Sequence, residues 1–247
     1  MLNILSWNVN KSFRKETHTI LEKYMNKWNP DIMFFQELPK TQEKEFLKYA
    51  QKKAGWKGAF KKREMADSQE GGYGVMWKTS TIGSIKLSFP ILISGQGRSD
   101  SPPDDYRPPL KVEIKPKGKE TIIAHTWHAP HAGMMGPWGT PAAQSAFKYF
   151  MLKKETKMDI KNKGMSAKCL WFLIGDLNLS ATGLTGIINE IKLPSTVKKK
   201  GRELDHCLAV CGDTLELSLL SIAGLRNTSM PSDHFPLGVS IKYNTAN

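Results

Sequence analysis

Two runs of this chain, DIMFFQE (31–37) and KCLWFLIGDLN (168–178), are apolar with almost no interruption, and each closes on a polar or acidic end. A strand on a one-sided sheet alternates apolar with polar residues. A run that is apolar at nearly every position reads instead as a strand buried on both faces. Each of those faces needs a further layer to cover it, so a thin fold is excluded.

The segments around the two runs supply the layers. LNILSWNVN (2–10) alternates like a strand and turns polar at Asn8. ETHTILEKYMNKW (16–28) sets Ile20, Leu21, Tyr24, Met25 and Trp28 on one helical face, and Pro30 stops it. Thr41 can cap a second helix running through Ala54, with Gly55 as its stop signal. WKGAF, YGVMW, SIKLSFPILI, PLKVEI and ETIIAHTW follow as strands, the last after a KPKGK turn. Residues 128–139 form a Gly/Pro/Met-rich loop, and Thr140-Pro141 opens a long helix carrying Phe147, Phe150 and Met151. After the second apolar run come a short helix near 184–191 and the strands LDHCLAV (204–210) and LELSLLSI (215–222). A closing strand puts Phe235, Leu237, Val239 and Ile241 on one alternating face. This order predicts an α/β fold: two mixed β-sheets stacked face to face, with helices outside, in one domain over 1–247.

Charge narrows the partners. Lys plus Arg number 36 against 23 Asp plus Glu, a net +13. That excess suits a polyanion, with nucleic acid first and an anionic membrane surface second. Three cysteines, Cys169, Cys207 and Cys211, form no CxxC pair. Cys207 and Cys211 sit four apart in one strand, roughly 13 Å when extended, which excludes a bridge between them. A disulfide scaffold and a zinc–thiolate site are both disfavoured. MLNILSWNVN reaches polar residues almost at once, and no apolar run approaches the ~20 residues of a membrane span. The expectation is a soluble chain, cytoplasmic if the sequence is complete and secreted if a signal has been removed.

The strands share a feature that strand propensity does not require. They end in polar residues of particular kinds: Asn8, Glu37, His125, Asp176 with Asn178, Asp205, and Asp233 with His234. Each alone has a bland reading. Asn8 suits a turn, Asp176 an Asx-turn, Asp205 an ion pair with Lys198–Arg202, and Pro-Ser-Asp a turn before the last strand. Strand ends are also where α/β proteins assemble sites. As a set, the acids and amides are hard oxygen ligands suited to Mg²⁺ or Mn²⁺. Two histidines paired with acids suit proton transfer near neutral pH. A metal that neutralises a phosphoryl oxygen, beside a base that activates water, outlines phosphoester hydrolysis.

The ordered run WNVN, QE, AHT, GDLN, LDH and SDH resembles the endonuclease/exonuclease/phosphatase superfamily, which includes the pancreatic-type deoxyribonucleases and the nuclease subunit of cytolethal distending toxins. GDLN and SDHFP are its most specific pieces. The resemblance implies a four-layer α/β sandwich. It implies Glu37 as the principal Mg²⁺ (or Mn²⁺) ligand, Asn8 beside the metal or the phosphate, and Asp233 as a further ligand. Asp176 would orient or deprotonate the attacking water, and Asn178 would hold the phosphate and help position Asp176. His234, paired with Asp205, would work as acid and base. Arg107 in RPPL resembles an arginine that meets substrate phosphate in nuclease members. His125 ends its apolar strand directly and takes the place of the second histidine. His128-Ala-Pro is the alternative, since it resembles the His-x-Ala-Pro of the pancreatic enzymes. The acid supporting that histidine has no clean counterpart, Glu70 being the candidate. His131 completes three histidines, but a zinc site in a Pro/Gly loop is disfavoured, while His18 and His206 read as helix-face and strand residues.

DNA is the favoured substrate and partner. The charge, Arg107, Lys61-Lys62-Arg63, Lys198–Arg202 and the loop carrying Trp127 and Trp138 point that way. The alternative is a phosphoinositide phosphatase or sphingomyelinase-like enzyme, with Met134, Met135, Pro137 and Trp138 dipping into an anionic membrane.

Overall fold

The computed structural model describes residues 1–62, 71–89, 107–130, 141–164, 170–192, 198–212, 215–221 and 232–243. The first half of the chain gives β1 (Leu2–Asn8), α1 (Lys15–Trp28), β2 (Ile32–Leu38), α2 (Glu43–Lys52), β3 (Trp56–Lys61) and β4 (Gly72–Lys78). It is followed by β5 (Ile82–Ser88), β6 (Leu110–Pro116), β7 (Ile122–His128), α3 (Pro141–Leu152), α4 (Lys154–Gly164) and β8 (Trp171–Asp176). The rest is α5 (Ala181–Glu190), β9 (Lys198–Arg202), β10 (Asp205–Val210), β11 (Leu215–Leu219) and β12 (Leu237–Tyr243).

Among the described residues the strands form two six-stranded sheets, ordered β11-β12-β1-β2-β4-β3 and β5-β6-β7-β8-β10-β9. Both are mixed. β1 runs parallel to β2 and β7 parallel to β8, and the remaining pairs are antiparallel. The second order repeats the first with every strand advanced by six, once β11 and β12 are matched with β5 and β6. One topology is therefore built twice without a visible sequence repeat, and each copy contributes one parallel pair ending at the same side of the sandwich.

Three apolar clusters separate four layers. Leu2, Ile4, Phe34, Val75, Ile114, Ala124, Phe172, Ile174, Cys207 and Val239 fill the space between the sheets. Ile20, Leu21, Tyr24 and Trp28 of α1, with Phe46, Tyr49 and Ala50 of α2, cover Leu5, Trp7, Met33 and Phe35 on the outer face of the first sheet. Ala146, Phe147, Phe150 and Met151 of α3, Ile160 of α4 and Ile187 of α5 cover Trp127, Trp171, Leu173 and Leu208 on the second. The four-layer α/β sandwich expected from the sequence is the fold. Among the described residues no helix is long and apolar enough to cross a membrane.

Several elements differ in detail. α2 starts after a 3-10 turn at Lys40–Gln42 rather than at Thr41. The long helix from Pro141 is two helices, bent at Lys153, whose N–H is shared between the Tyr149 and Phe150 carbonyls. Phe235 precedes the last strand and is 41% exposed, so of the four expected residues Leu237, Val239 and Ile241 pack inward, joined by Tyr243. Lys198–Arg202 forms an edge strand, a place where lysines block unwanted pairing. The expected Thr140 cap and the FPILI end of the fifth strand beyond Phe89 lie outside the described residues.

Candidate active site

The two parallel pairs deliver their C-terminal ends together. Asn8 ends β1 and pairs with Gln36, while His128 ends β7 and pairs with Asp176. Antiparallel β10 begins at the same side with Asp205, opposite Asp176. Period-2 alternation turns Asn8, His128, Asp176 and Asp205 to the face between the sheets.

Glu37 reaches that face by another device. Strict alternation would aim it at the helices. β2 instead gains one residue against β4 between Phe35 and Leu38, and Glu37 takes a left-handed φ of 52°. This bulge re-aims its side chain inward. Gly71 makes room for it, because a Cβ there would lie 2.6 Å from the Glu37 carbonyl carbon. Beside it the Gln36 amide donates to Ser6 Oγ at 2.9 Å and Thr126 Oγ1 at 2.7 Å, tying the two sheets together below the cleft.

The side chains converge on Asp176, which is 1% exposed. Its Oδ1 accepts from the Asn178 N–H at 3.0 Å and its Oδ2 from Asn8 Nδ2 at 3.2 Å. Gly175 just before it has φ 145°, and a Cβ there would meet the Trp127 carbonyl at 2.1 Å, so only glycine admits this approach of β8 to β7. Asn178, also left-handed, donates its amide to the Ala129 carbonyl at 2.8 Å. Two imidazoles face Asp176 Oδ2, His234 Nε2 at 3.4 Å and His128 Nε2 at 3.8 Å. Each has an acid on its other nitrogen: Asp205 Oδ2 at 2.9 Å for His234 and Glu37 Oε1 at 3.1 Å for His128.

His234 is held on its backbone too. Its N–H donates to Ser232 Oγ at 3.1 Å and its carbonyl accepts from Trp7 Nε1 at 2.9 Å. Ser232 Oγ in turn donates to the Asn8 carbonyl at 2.7 Å. The last loop is thereby registered against the first strand.

Burial is the strongest influence on the Asp176 carboxyl and, with the neighbouring charge of Asp205, pushes it up to about 7. Burial works against a charge on His234, but the hydrogen bond and charge of Asp205, helped by Asp176 and Asp233, raise it to about 9. At neutral pH His234 therefore carries a proton, and Asp176 sits close to its own midpoint.

His125 is not in this cluster. It lies on β7 three residues before His128, so it faces the helices, where its ring centroid is 5.1 Å from that of Phe150 and 5.8 Å from that of Trp171. Its place is taken by His128, and the two histidines on opposite faces cannot share a metal. Burial, with the charge of Lys111, holds His125 down at about 3. A histidine kept neutral in the fold but free to take a proton near 6.5 when unfolded supports stability above that value and forfeits it as pH falls toward 3. His125→Leu should flatten this limb: between pH 7 and 5 the wild type should lose ~2 kcal/mol more than the variant in urea titrations. Equal losses would contradict the assignment. His128→Ala, in contrast, should change activity.

Other expected residues are only partly gathered. Arg107 lines the cleft with Glu37, Tyr73 and His128. Asp233 stays at the rim, its side chain 71% exposed and its Oδ1 accepting from Asn10 Nδ2 at 3.0 Å. Asp205 pairs with His234, not with the lysines of β9. Those lysines run from the cleft along the sheet edge: Arg202 pairs with Asp205, and Lys198 with Ala209 four residues, roughly 13 Å, away. Trp127 is fully buried against Phe147 and Phe150, so it is no stacking surface for a base. Its Nε1 donates to the Arg107 carbonyl at 2.6 Å and fixes that residue beside the cleft. Glu70, Arg63, His131, Met134, Met135, Pro137 and Trp138 lie outside the described residues. Tyr73, whose hydroxyl accepts from the His128 N–H at 3.3 Å, and Lys11 join the cleft without having been expected there.

Among the described residues no three His, Cys, Asp or Glu form a metal cage on their own. Mg²⁺ seldom asks for one, being held by one or two carboxylates with water and substrate phosphate. The inward Glu37 carboxylate and the Asn8 side-chain oxygen, Oδ1, are a donor set of that kind.

A family model described as Endonuclease/Exonuclease/phosphatase family matches residues 5–234. No curated protein sequence matches the chain. Solved structures of similar fold include D. rerio TDP2 complexed with a single-strand DNA product, at 15% identity and TM-score 0.61, covering 99% of both chains. The human Nocturnin catalytic domain with bound sulfate is 14% identical with TM-score 0.64, covering 98% of this chain and 93% of that one. A Bacteroides thetaiotaomicron mannosyl-6-phosphatase is 15% identical with TM-score 0.63, covering 98% of this chain and 100% of that one.

Proposed function

Because the chain belongs to the endonuclease/exonuclease/phosphatase family, a family of hydrolases of phosphodiesters and phosphate esters, we propose that it is a divalent-metal-dependent endonuclease that hydrolyses DNA. One observation carries this reading above all. Two imidazoles, each backed by its own acid, flank a single buried carboxylate, Asp176.

Asp176 takes a proton from the attacking water while Asn8 and Asn178 hold its two oxygens in place. The water oxygen forms the new bond to phosphorus as the bond from phosphorus to the leaving oxygen breaks. His234, protonated and steadied by Asp205, gives its proton to that leaving oxygen. Neutral pH suits both tasks, since the base is at its midpoint and the acid is charged. His128 Nε2 faces the reacting phosphate in the role expected of His125, and Arg107 meets phosphate at the cleft edge. Glu37 and Asn8 would hold a Mg²⁺ or Mn²⁺ ion, which supplies charge neutralisation at a phosphoryl oxygen.

DNA is preferred as substrate on charge. The chain carries +13, Lys11 and Arg107 line the cleft, and Lys198, Lys199 and Lys200 are exposed on the adjoining edge. The TDP2 neighbour carries a DNA product in the same fold. Supercoiled plasmid, abasic duplex and phosphoinositide vesicles, each with Mg²⁺ and with chelator, separate the readings. We expect nicked plasmid with Mg²⁺ and none with chelator. Plasmid left supercoiled at low salt, while vesicles lose phosphate, would establish the membrane-lipid alternative instead. In the same series Glu37→Gln should fold normally yet bind Mg²⁺ at least ~10-fold more weakly by calorimetry, since only a ligand charge is removed. Unchanged affinity would remove Glu37 from the metal.

A further inference from the structure

Lys11 has no part in the steps above, yet it stands in the cleft with Glu37, Tyr73, Arg107 and His128. Its backbone is left-handed, φ 58°, and so is that of Asn10 before it, φ 44°. Non-glycine residues are uncommon in that region, and two in succession persist only where the surroundings over-determine them. Here they do. The Asn10 N–H donates to Asn8 Oδ1 at 3.0 Å, and the Asn10 side-chain amide to Asp233 Oδ1 at 3.0 Å. The Lys11 N–H donates to the Glu37 carbonyl at 3.1 Å and the Ser12 N–H to the Val9 carbonyl at 3.0 Å. The turn is thus fastened to Asn8, Glu37 and Asp233.

Glycine would make the same turn without strain. A lysine there is a stability loss that needs another reason. Among the described residues its ammonium has no ion-pair or hydrogen-bond partner, and this exposed residue lines the same cleft as Arg107. A lysine is a point charge on a flexible stem, and the fastened turn supplies the placement that the stem lacks. We propose that Lys11 holds the phosphate next to the scissile one, so that the site prefers a DNA strand, charged on both sides of the cut, over an isolated phosphodiester. This rests on the phosphodiesterase reading given above.

The test uses Lys11→Gly and Lys11→Arg with two substrates, a short DNA duplex and bis(p-nitrophenyl) phosphate. Duplex binding is read separately by fluorescence anisotropy across a salt series with chelator present, so it does not depend on turnover. Lys11→Gly should melt at a higher temperature, because glycine suits the turn. It should raise KM for the duplex ~10-fold more than KM for the small diester, and lower the log–log salt slope of binding by about 0.9. Lys11→Arg should restore slope and KM. A higher melting temperature with an unchanged slope would mean that Lys11 serves the turn alone and would overturn the proposal, as would equal KM losses on both substrates. Should the wild type hydrolyse neither substrate, the phosphodiesterase reading falls, while the salt slope still decides for or against Lys11.

Discussion

Asp176→Asn should lower turnover by three orders of magnitude or so and at the same time raise the melting temperature. Loss of a positioned general base removes ~10²–10⁴-fold in rate. The stability gain follows from the sign of the pKa displacement. Burial and the Asp205 charge lift the Asp176 carboxyl to about 7, above the ordinary value near 3.9. The folded state therefore holds a proton that the unfolded chain releases, and stability is lost as pH climbs between those two values. At pH 8 the wild type bears the whole penalty, on the order of a few kcal/mol, with the relief given by the His234 charge already included. Asparagine keeps the shape, still accepts from the Asn178 N–H, gives up only the bond from Asn8 Nδ2, and carries no charge to bury. Thermal unfolding should show a larger gain at pH 8 than at pH 5. A variant that melts lower at pH 8, or that keeps activity within tenfold, would mean that Asp176 is a structural acid.

This opposition between stability and chemistry explains which parts of the molecule the sequence could reveal. The buried runs ending at Glu37 and Asp176 announced a layered fold, because burial on both faces writes itself as unbroken hydrophobicity. GDLN and SDH announced half of the site, because each short motif sets an acid within two residues of an amide or an imidazole. Glu37 was visible as a strand-end acid. Its arrival beside His128 was not, since the inward turn comes from one extra residue in β2 and a left-handed φ. His125, expected at the site, lies on the other face for a related reason. The strand runs on through Trp127 to His128, with no residue exposed by as much as a tenth, so the apolar run gave no sign of where the site face resumed. Parity decides it: Ile123, His125 and Trp127 share the helix-facing side, and Ala124, Thr126 and His128 the other. β9 is not legible in the sequence because Lys-Lys-Lys-Gly-Arg has no apolar alternation, and edge position rather than propensity makes it a strand.

The pair His234–Asp205 permits a test in which activity and stability move apart. His234→Ala should lose ~10²–10⁴-fold in turnover through the missing acid. It should lose somewhat more through Asp176, which is held down by the His234 charge and rises further without it. The same change strands Asp205. Its side chain is 10% exposed, its Oδ2 bonds His234 Nδ1 at 2.9 Å, and among the described residues its Oδ1 has no hydrogen-bond partner. Removing one member of a buried pair leaves an uncompensated charge, a destabilisation of ~3–5 kcal/mol. Asp205→Asn alone should also cut turnover, because the imidazole loses the charge that keeps it protonated and oriented. The double variant His234→Ala/Asp205→Asn should then be no less active than His234→Ala, since both residues serve one proton. It should be more stable than His234→Ala, since the stranded carboxylate has become a neutral amide. Chemical denaturation and single-turnover rates on the four proteins would show this directly. Rates that fall multiplicatively, or a double variant less stable than His234→Ala, would mean that Asp205 acts on something other than His234.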